Sequence, residues 1–205
     1  MISPYFSTYL DSNVSLQPDQ LNNELRTNIK KNLSIMYKNK CFKEFGYIMD
    51  IYSIQDKLED GEIKLGDPSS SVYFNVKFHA KLCNPMVNSQ IVCKIDGINK
   101  HMIIAKNGPI HIIINNKHIN KQKFKFNNIK NVLLPLNDKN KEVDDPINSG
   151  RYIICTILNK KLVNTDSKIL VIGTLDRVAE NDEIKENILN ENNNNLKTIN
   201  VADIQ

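Results

Sequence analysis

Val72-Tyr73-Phe74-Asn75-Val76-Lys77-Phe78-His79-Ala80-Lys81-Leu82-Cys83-Asn84-Pro85 is the stretch on which the fold turns. Val72, Phe74, Val76, Phe78, Ala80 and Leu82 alternate with Tyr73, Asn75, Lys77, His79, Lys81 and Cys83, the period of two at which a strand presents opposite faces. One face reads as buried and the other as half wet, which makes His79 an expected solvated residue. The pattern stops near Asn84-Pro85, where a first domain, 1–85, is expected to end.

Upstream of that strand, a helix is expected from Pro18 to Asn39. Pro18 suits the first helical position, where its missing N–H leaves nothing unpaired. Gln17 would be the N-cap, Asp19 adds a favourable charge, and Leu16 and Leu21 could form a hydrophobic staple. Leu21, Leu25, Ile29, Leu33 and Met36 make one apolar stripe, read as a core face with a partner groove as the other possibility. Val14 and Leu16 alternate before the helix, and Phe45, Tyr47, Met49 and Ile51 alternate after it. Asp60-Gly61-Glu62-Ile63-Lys64-Leu65-Gly66-Asp67-Pro68 reads as an exposed looped tip, because glycine and proline punctuate it. The N-terminal domain is therefore α+β, a helix packed on a small antiparallel sheet.

Downstream, the texture changes. Ile91–Ile95, Met102–Ala105 and Ile110–Ile114 read as three short strands joined at Asn99-Lys100 and Asn107-Gly108-Pro109. A helical piece around Lys117–Gln122 follows, then a polar insertion over 127–150 with Pro135, Asp144-Asp145-Pro146 and Ser149-Gly150 as breakers. Tyr152–Leu158 and Lys168–Leu175 supply two more strands. Five short strands with a small helix after the third match an all-β OB (S1-like) barrel over 86–178. The remainder, 179–205, is an acidic, Asn-rich tail expected to be solvated, disordered or loosely helical.

Charge follows the same division. Residues 1–85 carry ten basic and ten acidic groups, whereas 86–178 carry fifteen against seven, a local excess of +8. Residues 179–205 carry two against six. An excess of cations is what a polyanion-binding face needs, since neutralised phosphates release counterions. Lysine dominates over arginine and asparagine is abundant, a bias of AT-rich genomes that lowers the weight of any single Lys or Asn. No apolar run approaches the ~18 residues of a membrane helix. Met1-Ile2-Ser3-Pro4-Tyr5 lacks the regions of a signal peptide, so the chain is expected inside a cell or a virion.

Catalytic motifs are missing: there is no Gly-rich phosphate loop, no Gly-x-Ser-x-Gly and no His-Glu-x-x-His. Cys41, Cys83, Cys93 and Cys155 lie far apart without a Cys-x-x-Cys pair, so they read as half-buried thiols in a reducing compartment rather than zinc ligands. His79, His101, His111 and His118 have no metal-ligand spacing, although His101 and His111 fall on adjacent expected strands. Asp144-Asp145 reads as a turn. No catalytic residue, metal or cofactor is expected. What remains is nucleic-acid contact, by a cationic groove with aromatic platforms. Lys94, Lys100, Lys106, Lys117, Lys121, Lys123 and Lys125 supply cations, with His101 beside them. Phe124 and Phe126 are either platforms or packing under the barrel. This favours backbone-directed, sequence-tolerant binding.

The order of these pieces resembles one family, the seventh-largest subunit of eukaryotic RNA polymerase II together with its archaeal counterpart. The resemblance runs from about Val14 to Val178, apart from the 127–150 insertion. It rests on Leu16-Gln17-Pro18, Phe45-Gly46-Tyr47-Ile48, Gly61-Glu62-Ile63 through Gly66, Val76-Lys77-Phe78-His79-Ala80 with Asn84-Pro85, Ile91-Val92, Asn107-Gly108-Pro109 and Ile172-Gly173-Thr174-Leu175. It implies a non-catalytic stalk subunit of a DNA-directed RNA polymerase. The N-terminal domain would dock on the core subunits through Gly61, Glu62, Ile63, Gly66, Asp67 and Pro68, and bind a smaller helical stalk subunit. The barrel would contact nascent RNA, here through Lys94, Lys100, His101, Lys106, Lys117, Lys121 and Lys123. No membrane partner is implied.

Met102-Ile103-Ile104 stands where the family has Gly-hydrophobic-Phe, and Asn88 replaces a common Gly. This divergence, with the AT-rich bias, points to the homologue of a large DNA virus, located in virion and host cytoplasm; a nuclear subunit is the alternative. A free-standing OB-fold RNA-binding protein would need only the barrel.

Overall fold

Tyr5–Leu16 forms a twelve-residue first strand, β1, and then come a helix α1 (Leu25–Tyr37) and strands β2 (Lys40–Phe42), β3 (Gly46–Ile54), β4 (Glu62–Ile63) and β5 (Val72–Cys83). The computed structural model describes residues 3–66, 68–127, 132–136, 146–192 and 198. The chain divides into two units, and these elements lie in one of them, together with Asn164–Ser167. The sheet runs β1-β5-β3-β2. β5 pairs antiparallel with β1 along its whole length, Leu16 opposite Val72 and Tyr5 opposite Cys83. Its other edge takes β3 at Phe78–Cys83 and β4 at Val72–Tyr73.

The alternation of β5 is reproduced in its burial: Phe74, Val76, Phe78, Ala80 and Leu82 are all in the core. They meet Leu10, Val14 and Leu16 of β1, and Ile29 and Leu33 of α1. The opposite face is drier than expected. Lys81 and Cys83 are buried, and His79 stacks on Tyr9 at 4.7 Å between ring centroids, with Tyr52 at 5.3 Å on another side. His79 is therefore an aromatic packing residue, half-buried rather than solvated, and burial pushes its imidazole pKa down.

The helix does not start at Pro18, as its sequence suggests: Pro18–Gln20 is a separate 3-10 turn, and α1 begins at Leu25. Asn22 is the reason. Its side-chain oxygen accepts from Glu24 N at 2.9 Å and its amide donates to Asp19 O at 3.3 Å, and such local bonds compete with the helical ladder. Leu21, ahead of α1, and Met36, in its last turn, are exposed, and the stripe meets the core through Ile29 and Leu33, with Leu25 partly buried beside them. In β3 the alternation expected of Phe45, Tyr47, Met49 and Ile51 holds only in part: Tyr47 and Ile51 are buried, but so is Ile48, while Met49 is half-buried. Bulges after Ile48 and after Ile51 set Ile48, Ile51 and Ile54 opposite Leu82, Ala80 and Phe78. Each bulge adds a residue, so core positions recur every three residues instead of two.

In the second unit, β6 (Gln90–Ile98), β7 (Met102–Asn107), β8 (Ile110–Asn115), β11 (Tyr152–Lys161) and β12 (Ile169–Val178) form a closed barrel, with β9 (Phe124–Asn127) and β10 (Val132–Pro135) as a separate two-stranded ribbon. The barrel order is β6-β7-β8-β12-β11 and back to β6. β8 and β12 are parallel, Ile110 opposite Ile169, and the other pairs are antiparallel. The interior is mostly β-branched: Ile91, Ile95, Ile103, Ile110, Ile112, Ile114, Ile153, Ile157, Ile169 and Val171 are buried, with Cys93, Ala105, Cys155 and Leu175 among them. Such side chains fit a pleated, curved wall at little rotamer cost. Asn88 has φ +64°, a left-handed conformation that Asn tolerates better than most residues.

The segment expected as a helix around Lys117–Gln122 is a 3-10 turn over Asn116–His118. The polar insertion is partly folded: Val132, Leu133 and Ile147 are buried, and Leu133 and Ile147 exchange backbone hydrogen bonds. Asp67 and the pair Asp144-Asp145 lie outside the described residues. The tail holds a helix, α2 (Asn181–Asn192), clamped at its start by Arg177, which donates to Glu183 at 2.9 Å. Glu183 in turn accepts from Glu180 N at 2.9 Å, and Asn187 accepts from buried Asn107 at 2.8 Å. α2 packs on β6.

Candidate nucleic-acid interface and docking tip

The barrel register assembles the surface residues. Tyr152 of β11 stands opposite Lys94 of β6, Lys94 opposite Lys106 of β7, and Lys106 opposite His111 of β8. Their chain neighbours Cys93, Ile95, Ala105, Ile110, Ile112 and Ile153 are buried, so alternation turns this row outward. Lys94 Nζ lies 5.9 Å from the Tyr152 ring centroid. Lys106 pairs with Asp96 at 2.8 Å, and that hydrogen bond holds the Asp96 carboxyl below its usual range. Burial, then the charges of Lys106 and Lys168, push the His111 imidazole down.

Beside the cationic row runs an apolar one. Gly97, Ile104, Ile113 and Ile172 are successive cross-strand partners. Ile113 and Ile172 keep 36% and 46% of their surface exposed. A Cβ on Gly97 would touch nothing within 4 Å, so the row ends in a flat, open floor. A backbone-tracking cation row beside apolar surface can hold phosphates and the faces of bases together.

The seven residues expected to contact RNA are therefore not one patch. Lys94 and Lys106 share the row just described. Lys100 and His101 sit in the β6–β7 turn, where Asn99 Oδ1 accepts from His101 N at 2.9 Å and from Met102 N at 2.8 Å. Asn116 binds that turn through His101 O at 2.9 Å and Lys100 O at 3.2 Å, which carries Lys117 to the same end of the barrel. Lys117 and Lys123 line an open groove with Gln90, Thr174 and Asp176, while Lys121 stands in the turn before β9. His101 and His111 are not brought together: Met102 faces Asn115 and Lys106 faces His111, four ladder steps apart. Phe124 is buried and serves packing; Phe126 is half-buried.

Sequence reasoning missed Tyr152, His111 and the isoleucine row. Ile110-His111-Ile112-Ile113-Ile114 is nearly all apolar, so no alternation announces that Ile113 faces outward. The signal that could have found Tyr152 is its place at a strand start, but only the register puts it beside Lys94.

At the tip, β4 pairs Glu62 with Tyr73 and Ile63 with Val72. Gly61 is required by packing: a Cβ there would lie 2.4 Å from Val72 Cγ1 and 2.8 Å from the Phe74 ring. Gly66 takes φ +86°, where glycine is favoured. Between them Ile63 is 69% exposed and Leu65 fully exposed, with Lys64 Nζ 4.0 Å over the Tyr73 ring. Two large apolar side chains are thus held on a short hairpin away from the core, and Pro68 is exposed as well. Among the described residues, no group of three or more His, Cys, Asp or Glu gathers as a metal site, and no helix is long and apolar enough to cross a membrane.

No protein-family profile matches the chain. Against known proteins, it is 33% identical over 183 residues to a protein of Acanthamoeba polyphaga mimivirus that bears the name "Putative DNA-directed RNA polymerase subunit". The match covers 89% of this chain and 87% of that protein.

Proposed function

We propose a stalk role for this chain, which belongs to the family of DNA-directed RNA polymerase subunits that includes the mimivirus protein. In this reading residues 1–85 anchor on the polymerase core subunits and 86–178, an OB-type barrel, contacts emerging RNA. The observation that carries it is the hairpin tip: Ile63 and Leu65 stand exposed on a strand pair whose geometry Gly61 enforces. Burying an apolar side chain of this size contributes about 1.5–3 kcal/mol, enough for a two-residue anchor to matter. Gly61, Glu62, Ile63, Gly66, Asp67 and Pro68 form the docking set.

The barrel order, with its parallel pair between third and fifth strands, supports the OB reading. The row Tyr152, Lys94, Lys106, His111 crosses the fourth, first, second and third barrel strands, and its Lys106–His111 part lies on the strand 2–3 face that OB barrels use, which supports RNA contact there. Lys100, His101, Lys117, Lys121 and Lys123 extend it toward one end. A smaller helical subunit completes the stalk, and the viral relative favours a viral polymerase working in host cytoplasm and packaged in virions. The subunit carries no catalytic step of its own.

Affinity capture of the tagged chain from its native source tests this. Recovery of the two largest polymerase subunits in mild salt is expected. Recovery of RNA without any polymerase subunit would replace the stalk role by a free-standing RNA-binding protein.

A further inference from the structure

The barrel brings together two cysteines that the sequence sets far apart. Antiparallel register places Cys93 opposite Ile153 and Cys155 opposite Ile91, so the two are diagonal neighbours across the β6–β11 seam. Both are buried, at 1% and 0% exposure. Their sulfurs lie 3.0 Å apart, and Cys93 Sγ also lies 3.6 Å from Ile153 O. Diagonal pairs are wider than directly opposed ones, yet here the side chains already span the gap. Closing to a bond of about 2.05 Å asks for a movement of roughly 1 Å. Cys41 and Cys83, also buried, lie in the other unit.

We propose that Cys93 and Cys155 are a covalent modification site, forming a disulfide that latches the β6–β11 seam when the chain meets a peroxide-class oxidant. One thiolate attacks a peroxide oxygen and becomes a sulfenic acid, and the hydroxide released takes up the thiol proton as water. The second sulfur then displaces hydroxide from the sulfenic sulfur, the S–S bond forms, and its proton leaves in a second water. Two thiols lose two electrons and two protons, and peroxide becomes two waters.

The site also sets its own rate. The Cys93 contact and burial hold the Cys155 thiol well above its ordinary pKa, which keeps the attacking thiolate scarce while the barrel is closed. Oxidation is therefore slow in the native state and accelerates with rising pH or when the seam opens. Once made, the bond joins residues 62 positions apart, a long loop whose closure restricts the unfolded chain strongly. β6–β11 is the pairing that closes the barrel, so the latch acts on closure itself.

The test treats the full chain with hydrogen peroxide, under native conditions and near its unfolding midpoint, and maps peptides by mass spectrometry. A linked Cys93–Cys155 peptide is expected in both conditions, forming faster in the second, with a rise of at least about 5 °C in the thermal midpoint that dithiothreitol reverses. Cys93→Ala and Cys155→Ala should each abolish the rise, and Cys41→Ala should not. Cys93 and Cys155 peptides recovered unlinked in both conditions would overturn the proposal, as would a linked peptide with no rise. Because the mapping uses the unaltered chain, a variant that fails to fold leaves the test intact.

Discussion

The two units solve the same packing problem with different amino acids. Of the seven Phe and seven Tyr, eleven lie between Tyr5 and Asn84, and only Phe124, Phe126 and Tyr152 lie in the second unit. A helix laid on an open sheet leaves wide, irregular space, and Phe6, Phe42, Phe74 and Phe78 fill it, with Tyr37 edge-on to Phe42 at 4.8 Å. The small barrel has a narrow, regular interior, and isoleucine fills it from five strands. Aromatic residues are thus spent on the sheet core, and the outer barrel row has one, Tyr152, among lysines and isoleucines. Any RNA contact there leans on phosphates more than on stacking.

Core truncation gives the largest contrast. Phe78→Ala should cost about 3–5 kcal/mol in denaturant unfolding, while Ile112→Val in the barrel should cost about 0.5–1.5 kcal/mol. Equal losses would show that the sheet core is packed no more demandingly than the barrel.

At the tip, Ile63→Asp combined with Leu65→Asp should leave the melting curve unchanged, because both side chains are exposed. Polymerase capture should fall at least about tenfold, since each lost burial is worth more than the roughly 1.4 kcal/mol that a decade requires. Full capture by that double variant would move the anchor elsewhere.

On the barrel, Lys94→Glu with Lys106→Glu should weaken binding to a single-stranded RNA several-fold. The slope of log affinity against log salt should shrink by about 1.4, some 0.7 for each phosphate no longer neutralised. The same pair of changes made at Lys117 and Lys123 separates the side face from the groove: the face with the smaller change in slope is not the principal contact.

The smallest effect concerns pH. His79 and His111, one in each unit, both have pKa values lowered by burial. The unfolded chain therefore binds protons first as pH falls, so stability is full above about pH 6.5 and declines as pH drops through the folded pKa values. His79→Phe should flatten the decline below about pH 6.5 while keeping the ring stack with Tyr9; an unchanged slope would assign the dependence to His111.

Much of this fold could be read from local pattern. The β5 alternation was legible because one face of that strand is buried against a contiguous core, and burial writes a period of two into the residues, whereas the five barrel strands showed as short apolar runs between turns. The start of α1 was not, because Asn22 decides it through side-chain bonds to the backbone that compete with apolar periodicity. Nor was β3, where two bulges slip the register and Ile48, Ile51 and Ile54 take the core. A bulge has no marker in a run such as Tyr47-Ile48-Met49, whose residues are acceptable on either face.

The candidate site divides in the same way. That cations concentrate after residue 85, and that a glycine-bounded tip carries Ile63 and Leu65, is written in the chain order, since composition and turn chemistry are local properties. That Lys94 and Lys106 share a row with Tyr152 and His111, that Lys117 and Lys123 do not join it, and that Cys93 meets Cys155 came from the folded molecule alone. Those neighbours are set by strand register around a closed barrel, and register depends on which residues from distant segments face each other across a hydrogen-bonded ladder.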